Sequence, residues 1–209
     1  MPFIVVEGVD GAGKSSVVAG VVSALAARGR DLLALREPGS TPLGERVRAL
    51  LLDPHLGHPD PIAEALLFSA CRAEMVRKII RPALEAGRWV VLDRFFFSTL
   101  AYQGGGAGAD RTALLDMSRA ATGGLLPDVV ILLDLAPSIA AGRRTRSLDR
   151  MESHDAAYHD RVRRAYLDLA SSVEFGGLFR VVDAARSAEL VLADCVREIA
   201  AAVPALNGS

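Results

Sequence analysis

Short apolar runs alternate with longer helix-type patterns along the whole chain. Five of the runs are rich in leucine or β-branched residues and lack polar alternation, which is typical of strands covered on both faces. They occupy residues 3–7, 32–36, 89–93, 129–135 and 179–183. The alternation predicts an α/β fold, a three-layer α/β/α domain with a five-stranded parallel sheet. Right-handed crossovers would place the loops that follow the strands at one edge of the sheet, where ligands bind in such folds.

Three stretches between these runs predict helices. Apolar residues recur at helical spacing over residues 17–25, and Gly29 is a candidate C-terminal cap. Residues 61–87 form either one long helix or a broken pair, with Pro82 as the expected break. Residues 155–173 form an arginine-rich amphipathic helix.

Composition narrows the class of protein. The chain has 209 residues and a formal net charge of −1, so we expect one domain and no general attraction to nucleic acid or anionic membranes. The chain contains no run of about 18 apolar residues, so we expect no membrane span, and its N-terminus lacks the pattern of a signal peptide. Cys71 and Cys195 lie far apart without metal-ligand spacing, which favours reduced thiols in a cytoplasmic protein.

The stretch GVDGAGKS at residues 8–15 matches the phosphate-binding loop pattern G-x-x-x-x-G-K-[ST]. It follows a predicted strand and opens a predicted helix, so backbone N–H groups and the helix N-terminus can surround a phosphate. Lys14 would reach the β- and γ-phosphates of a nucleotide, and the Ser15 hydroxyl would ligate Mg²⁺. Only Lys14 and Lys78 among the 24 basic residues are lysines, so an incidental lysine in a glycine-rich turn is the weaker interpretation.

A nucleoside triphosphate site is compatible with a kinase, a hydrolytic switch or a motor. A GTPase would carry an N-K-x-D motif to bind guanine, and neither lysine of the chain stands in such a motif. A motor or a large ATPase usually needs a longer chain. These features favour a small-molecule kinase, and such an enzyme also needs an acceptor site.

Two further motifs supply candidates for that acceptor site. REPGST at residues 36–41 follows the second predicted strand, and Pro38 favours an extended conformation at Glu37. In LLFSACRAE at residues 66–74, Phe68 and Arg72 share a helix face. The ring could stack on a nucleobase while the guanidinium binds a base carbonyl; the alternative is a core ring beside a solvated arginine.

The stretch DRFFFSTLAYQGGG at residues 93–106 continues the third predicted strand. Asp93 could serve a metal ion and Arg94 could hold a phosphate, although an acid and a base at a strand end are often a surface ion pair. We expect residues 95–97 to turn the chain into the next helix and residues 104–106 to end it.

Taken together, these motifs resemble those of bacterial thymidylate kinases, which are P-loop nucleoside monophosphate kinases. The resemblance is carried by EGVDGAGKSS, REPGST, LLFSACRAE, DRFFFSTLAYQGGG and RTRSLDRMES, in family order between residues 3 and 169. It implies conversion of dTMP into dTDP with ATP and Mg²⁺, a step of dTTP biosynthesis. It also implies a homodimer that forms through helices around residues 66–80.

On the donor side, the resemblance implies that ATP contacts the phosphate loop and the residue that follows it. This set is Gly8, Val9, Asp10, Gly11, Ala12, Gly13, Lys14, Ser15 and Ser16. Mg²⁺ would be held by Ser15 and Asp93. Lys14, Asp93 and Arg94 would act in catalysis together with arginines of a lid.

The acceptor sugar and phosphate have their own implied partners. Asp10 would contact the 3′-hydroxyl of the sugar, and Arg94 would hold the acceptor phosphate. The residues implied to line the acceptor and metal region are Arg36, Glu37 and Pro38.

The acceptor base has a second set of implied partners. Phe68 would stack on thymine, and Arg72 would donate a hydrogen bond to one of its carbonyls. The helix that closes over base and sugar would contribute Ser98, Thr99, Tyr102 and Gln103. Tyr102 would pack where a 2′-hydroxyl would lie, which favours deoxyribose.

Residues 143–153 resemble the mobile lid of the family. Some members carry a basic residue within the phosphate loop, whereas others supply arginine from the lid, and residues 9–12 of this chain include no basic residue. We therefore expect Arg144 and Arg146 first, and Arg143 and Arg150 next, to supply positive charge. The alternative is an arginine-rich helix face in solvent.

Some alternatives stay open at this point. Ser40 stands where the family more often has a second glycine, and Phe95 stands where tyrosine is common. A kinase for another monophosphate such as dUMP, UMP or CMP, or a deoxynucleoside kinase, would share much of the pattern. A protein of another class, a switch module that binds ATP and transfers nothing, would need the phosphate loop alone.

Overall fold

The structure, a computed structural model, describes residues 1–143 and 150–203. Its five strands are all parallel and lie in the order β2-β3-β1-β4-β5. Their bounds are Phe3–Gly8 for β1, Leu32–Arg36 for β2, Trp89–Asp93 for β3, Val129–Asp134 for β4 and Phe179–Asp183 for β5. The predicted strands are confirmed, and only the ends of β1 and β4 differ, by one residue each.

The described helices connect the strands and cover the sheet. They are α1 Lys14–Ala26, α2 Pro42–Leu52, α3 Pro61–Met75, α4 Arg81–Glu85, α5 Phe96–Thr99, α6 Arg111–Thr122, α7 Pro137–Gly142, α8 Ala156–Ser171 and α9 Ala188–Ala202. Helices α1 and α9 pack on each other and on the sheet, while α4, α5 and α8 pack on the sheet separately from this pair. The predicted three-layer α/β/α fold is confirmed.

The centre of the sheet forms the middle of the hydrophobic core. Every residue of β1 is buried, and the register pairs Val5 with Leu92 of β3 on one side and with Val130 of β4 on the other. This burial on both faces explains why these strands show no polar alternation. Because the strands are parallel, Gly8, Arg36 and Asp93 all lie at the carboxyl edge of the sheet.

The predicted long helix has its irregular segment just before the proline. The chain stays helical from Pro61 to Glu85, but Val76–Ile80 between α3 and α4 is a π-helical segment. Pro82 has no N–H to donate to a preceding carbonyl, and the wider turn before it accommodates the ring. The expected break is therefore a local change of helix type and not an interruption.

A second π-helical segment, Leu100–Gly106, continues α5. Of residues 95–97, which we expected to form the turn, only Phe95 does so, because α5 already begins at Phe96; the helix ends at Gly106, as expected. Within the part of the chain that the structure describes, every helix is too short or too polar to cross a membrane.

Candidate active site

A cavity of about 540 Å³ opens at the carboxyl edge of the sheet. It brings together most residues that the motifs singled out: Asp10, Gly11, Gly13, Lys14, Ser15, Ser16, Arg36, Glu37, Pro38, Phe68, Arg72, Asp93, Arg94, Ser98, Thr99, Tyr102, Gln103 and Arg143. Gly8, Val9 and Ala12 do not line it. Arg48 and Leu52 also line the cavity, although no motif indicated them, and Met151 and Glu152 line it from the predicted lid.

The phosphate loop has the conformation that its glycines allow. Gly11 and Gly13 have φ angles of 86° and 90°, in the left-handed region that disfavours side chains. A Cβ added at Gly11 would also lie 2.7 Å from the carbonyl oxygen of Ala140. The chain therefore follows a tight path here, and α1 begins directly after it.

Lys14 lies over the loop as a buried cation. Its Nζ donates to the Val9 carbonyl oxygen at 2.9 Å and lies 3.8 Å from Oδ1 of Asp10. Burial, and next the charge on Arg94, lower the pKa of Lys14 to about 8. The ammonium is thus poised to bind an anion that replaces part of its lost hydration.

The two residues predicted to hold Mg²⁺ are hydrogen-bonded to each other. The Ser15 hydroxyl donates to Oδ2 of Asp93 at 3.0 Å, and both residues line the cavity. A hydroxyl and a carboxylate are the hard oxygen ligands that Mg²⁺ prefers beside nucleotide phosphates. The residues present therefore fit the metal.

Arg94 lies between the phosphate loop and the second π-helical segment. Its Nη2 donates to Oδ1 of Asp10 at 2.5 Å and to the Tyr102 hydroxyl at 3.2 Å. Its Nη1 donates to the Gly8 carbonyl oxygen at 3.0 Å and to the Ser98 hydroxyl at 3.0 Å. The guanidinium is therefore fixed in place in the wall of the cavity.

The pKa and the hydrogen bonds of the Asp10 carboxylate are set by these neighbours. Removal from water opposes its charge, but the charges on Arg94 and Lys14 outweigh this effect and hold its pKa below the usual range. The Tyr102 hydroxyl adds a hydrogen bond of 2.8 Å to Oδ2 of Asp10. Asp10 stays an anion and can accept hydrogen bonds at any pH near neutrality.

Glu7 is a member of this network to which the motifs assigned no role. It is fully buried and accepts from the Phe95 backbone N–H at 2.7 Å, the Ser98 hydroxyl at 2.6 Å and the Tyr166 hydroxyl at 2.9 Å. Burial raises the pKa of its carboxyl group, against the opposing charge on Arg94. The signal in the sequence is an acid that ends an otherwise apolar strand.

Arg72 is almost completely buried at the other end of the cavity, with 1% of its surface exposed. It forms a two-pronged ion pair with Glu37 and donates from Nη2 to the Thr99 hydroxyl at 3.0 Å. Its Nη1 has no hydrogen-bond partner among residues 1–143 and 150–203. A buried donor without a partner is costly, so Nη1 is suited to a ligand that accepts.

Phe68 and Glu37 complete this end of the cavity. Phe68 is partly buried and lines the cavity one helical turn before Arg72, as the spacing predicts. Glu37 is buried beneath the cavity, and burial raises its pKa to about 7 against the opposing charge on Arg72. The observed partner of Glu37 is therefore Arg72. The rings of Phe95, Phe96 and Phe97 do not line the cavity and are core residues.

The motif REPGST forms a corner that is stabilised by its own side chains. Arg36 pairs with Glu45 of α2 at 3.0 Å, and the Ser40 backbone N–H donates to the same carboxylate at 2.9 Å. Ser40 has a φ of 63°, in the left-handed region, which gives a physical reason for the glycine that is commoner there. Arg48 donates to the Pro38 carbonyl oxygen at 2.9 Å and lines the cavity.

The arginines of the predicted lid are placed differently from one another. Arg143 lines the cavity and donates from Nη1 to the Ala184 carbonyl oxygen at 2.8 Å. Arg150 is buried, with 3% of its side chain exposed, and pairs with Glu64 of α3. Arg144 and Arg146 lie outside the described residues.

Comparisons with known proteins agree with these motifs. The chain matches the thymidylate kinase family over residues 6–195. It is 45% identical to a thymidylate kinase of Deinococcus radiodurans, over 88% of this chain and 89% of the relative. A thymidylate kinase of Desulfovibrio desulfuricans is 46% identical over 92% of both chains, and one of Cereibacter sphaeroides is 43% identical over 98% of this chain and 95% of the relative. The chain belongs to the thymidylate kinase family.

Proposed function

We propose that this protein transfers the γ-phosphoryl group of ATP to dTMP and produces ADP and dTDP. The observation that carries the proposal is one cavity that is lined both by the phosphate loop and by Arg72, a buried arginine whose Nη1 has no partner among the described residues. A switch module that only binds ATP would need the loop but not Phe68, Arg72 and Arg94 in one lining. The geometry therefore favours an enzyme with two nucleotide substrates.

The phosphates of the donor, ATP, would be held by the loop, by Lys14 and by Mg²⁺ at Ser15 and Asp93. Backbone N–H groups of the loop and the N-terminus of α1 would surround the phosphates. When bound, Mg²⁺ neutralises part of the charge on the phosphate oxygens. Lys14 would exchange its bond to the Val9 carbonyl oxygen for a bond to phosphate.

The acceptor phosphate would be held by Arg94. This phosphate needs no general base, because its second pKa is about 6 and it is already largely anionic at neutral pH. Catalysis is then a matter of alignment and charge neutralisation. Asp10, whose carboxylate orients Arg94, would also accept from the 3′-hydroxyl of the sugar.

The base would lie between Phe68 and the second π-helical segment. Nη1 of Arg72, which has no partner in the described part of the chain, would donate to a thymine carbonyl. Thr99, Gln103 and Pro38 line the same cavity, and Thr99 accepts from Nη2 of Arg72. Tyr102, held by Asp10 and Arg94, would occupy the space of a ribose 2′-hydroxyl.

The lid, about residues 143–153, would close over the phosphates within a single domain that spans the chain. Arg144 and Arg146 are proposed to neutralise the charge that develops during transfer, a role worth about 10³–10⁵ in rate where arginine fingers act. Lid closure would also exclude water as a competing acceptor. Arg150 is a less suitable candidate, since its guanidinium is buried against Glu64.

We also propose a cytoplasmic homodimer. Both cysteines are buried free thiols, which suits a reducing compartment. On α3, the exposed residues Ala63, Leu66 and Ala70 follow helical spacing and form an apolar stripe. A stripe of this kind suits a second copy of the chain.

The test is acceptor-dependent ADP release, measured with dTMP, dUMP, dCMP, UMP and CMP in parallel. We expect rapid ADP release with dTMP and slow release without an acceptor. One methyl group is worth only about 1–3 kcal/mol, so dUMP is the expected second substrate. ADP release that does not depend on any monophosphate would point to a switch or a hydrolase.

A further inference from the structure

Glu64, in the first turn of α3, is a buried carboxylate that no sequence motif indicated. It is 6% exposed and accepts two charged or polar partners. Nε2 of Gln103 donates to its Oε2 at 2.5 Å, and Nη2 of Arg150 donates to its Oε1. Arg150 also donates from Nε to the Leu51 carbonyl oxygen at 2.8 Å. These contacts form a buried series of hydrogen bonds from the lid to the cavity wall.

Only one assignment of donors and acceptors is possible along this series of hydrogen bonds. A guanidinium can only donate, and a carboxylate paired with it can only accept. Gln103 must therefore turn its amide nitrogen toward Glu64. Gln103 lines the cavity, and its carbonyl oxygen is the half of the amide that remains for a ligand.

We propose that Glu64 sets the base specificity of the acceptor site by holding the carbonyl oxygen of Gln103 toward the base. This inference rests on the proposed function. Thymine carries an N–H donor at N3 between two carbonyls, whereas cytosine carries a lone pair at N3. A fixed carbonyl oxygen accepts from the thymine N3–H and is left against a lone pair by cytosine, which costs binding.

Glu64 is a positioning residue, because it acts through Gln103 and not by contact with the base. A purely structural role would be to anchor Arg150 at the end of the lid. The two roles predict different results for Glu64→Gln. Arg150 can only donate, so it would hold the carbonyl oxygen of the new side chain and leave that side chain's N–H₂ facing Gln103. Gln103 would then flip and present N–H₂ to the base.

The experiment measures dissociation constants of dTMP and dCMP by calorimetry. For Glu64→Gln we expect the ratio of the dCMP constant to the dTMP constant to fall at least about tenfold. Glu74→Gln is the matched control, since Glu74 lies on the same helix and pairs with Lys78 at 2.7 Å on the surface. This control should keep the wild-type ratio. An unchanged ratio in Glu64→Gln would overturn the proposal.

A second variant keeps the test decisive if Glu64→Gln fails to fold. Gln103→Met removes the amide and should lower the same ratio, and an unchanged ratio would also overturn the proposal. In the Gln103→Met background, Glu64→Gln should have no further effect on the ratio. A wild-type protein that binds dTMP without any preference over dCMP would sink this inference alone. A wild-type protein that neither binds nor phosphorylates dTMP would sink the proposed function.

Discussion

Lys14 is a buried cation whose pKa is lowered to about 8, by burial and then by the charge on Arg94. As the pH rises above about 8, the free enzyme loses the charge that would meet the nucleotide phosphates. We therefore expect kcat/KM for ATP to fall through this range, because kcat/KM reports on groups of the free enzyme. At saturating ATP, kcat should fall only at higher pH, since bound phosphates favour the ammonium.

The expected fall in kcat/KM for ATP is not caused by unfolding of the protein. Between pH values of about 8 and 10.5, the unfolded chain binds more protons at Lys14 than the folded chain does, so this residue's contribution to stability rises with pH. Circular dichroism across the same range should show a folded protein while kcat/KM declines. A kcat/KM for ATP that stays constant up to about pH 10 would show that Lys14 does not carry the nucleotide charge.

Arg94 combines a functional side chain with an unfavourable backbone. Its φ of 70° lies in the left-handed region, which costs a side chain about 1–2 kcal/mol relative to glycine. Arg94→Gly and Arg94→Ala should both abolish transfer, because both remove the guanidinium. We expect Arg94→Gly to have the higher free energy of unfolding, by about 1 kcal/mol, in urea titrations.

Arg164 offers the matched comparison in ordinary helical backbone. It is exposed within α8, so here the alanine variant should be more stable than the glycine variant, by about 1 kcal/mol. The same order of stability at positions 94 and 164 would contradict an effect of the backbone at Arg94.

At the residue scale, the sequence predicted the groups whose spacing is set by local chemistry. Lys14 and Ser15 belong to one loop, and Phe68 and Arg72 lie one helical turn apart, so each set could be placed from spacing alone. Glu7 and Glu64 could not, because their importance depends on partners about 40 to 160 residues away. Arg150 matched the lid pattern, and only tertiary contacts show that its guanidinium is buried.

At the element scale, α8 and the second π-helical segment pack closely over glycines. A Cβ added at Gly105 would lie 2.3 Å from the Cβ of Ala165. We expect Gly105→Ala to push the two elements apart, lower the free energy of unfolding by about 1–3 kcal/mol, and raise KM for dTMP more than KM for ATP. Tyr102 and Gln103 lie on this segment, which explains the selective effect on the acceptor.

Two variants test the cause of the Gly105→Ala effect. Ala165→Gly removes the clashing methyl group, so the double variant should recover much of the lost dTMP affinity. Gly177→Ala introduces a methyl group at an exposed glycine with open space around it and should change little. Additive losses in the double variant would show that the contact between these two positions is not the cause.

Strands and long helices were predictable because their hydrophobic periods are continuous. The five strands follow from apolar runs, and α8 from an amphipathic pattern that begins at its cap, Asp155. The π-helical segments were not predictable, because nothing in VRKII distinguishes a wider turn from an α-helical one, and the three glycines of LAYQGGG predict only the end of a helix. The order of strands in the sheet also has no local signal, because it depends on how distant runs pair.

At the scale of the whole molecule, the apolar stripe on α3 carries the prediction of a homodimer. Leu66, at its centre, is 52% exposed, and an exposed leucine between Ala63 and Ala70 has no role in the core of the monomer. If two copies bury these stripes against each other, Leu66→Glu places a charge in an apolar interface without a partner. We expect wild-type protein to sediment with twice the mass of one chain and Leu66→Glu with the mass of one.

Leu190 on α9 is the control for this substitution. It is 55% exposed, lies outside the stripe, and its replacement by glutamate adds the same charge to a similarly exposed position. Leu190→Glu should keep the dimer mass, and thermal unfolding should show that both variants remain folded. Because one chain supplies the phosphate loop, Phe68, Arg72 and Arg94 to its cavity, the Leu66→Glu monomer should also retain dTMP binding. A wild-type protein that sediments as a monomer at micromolar concentration would disprove the dimer, whereas a Leu66→Glu protein that stays dimeric would move the interface to another surface.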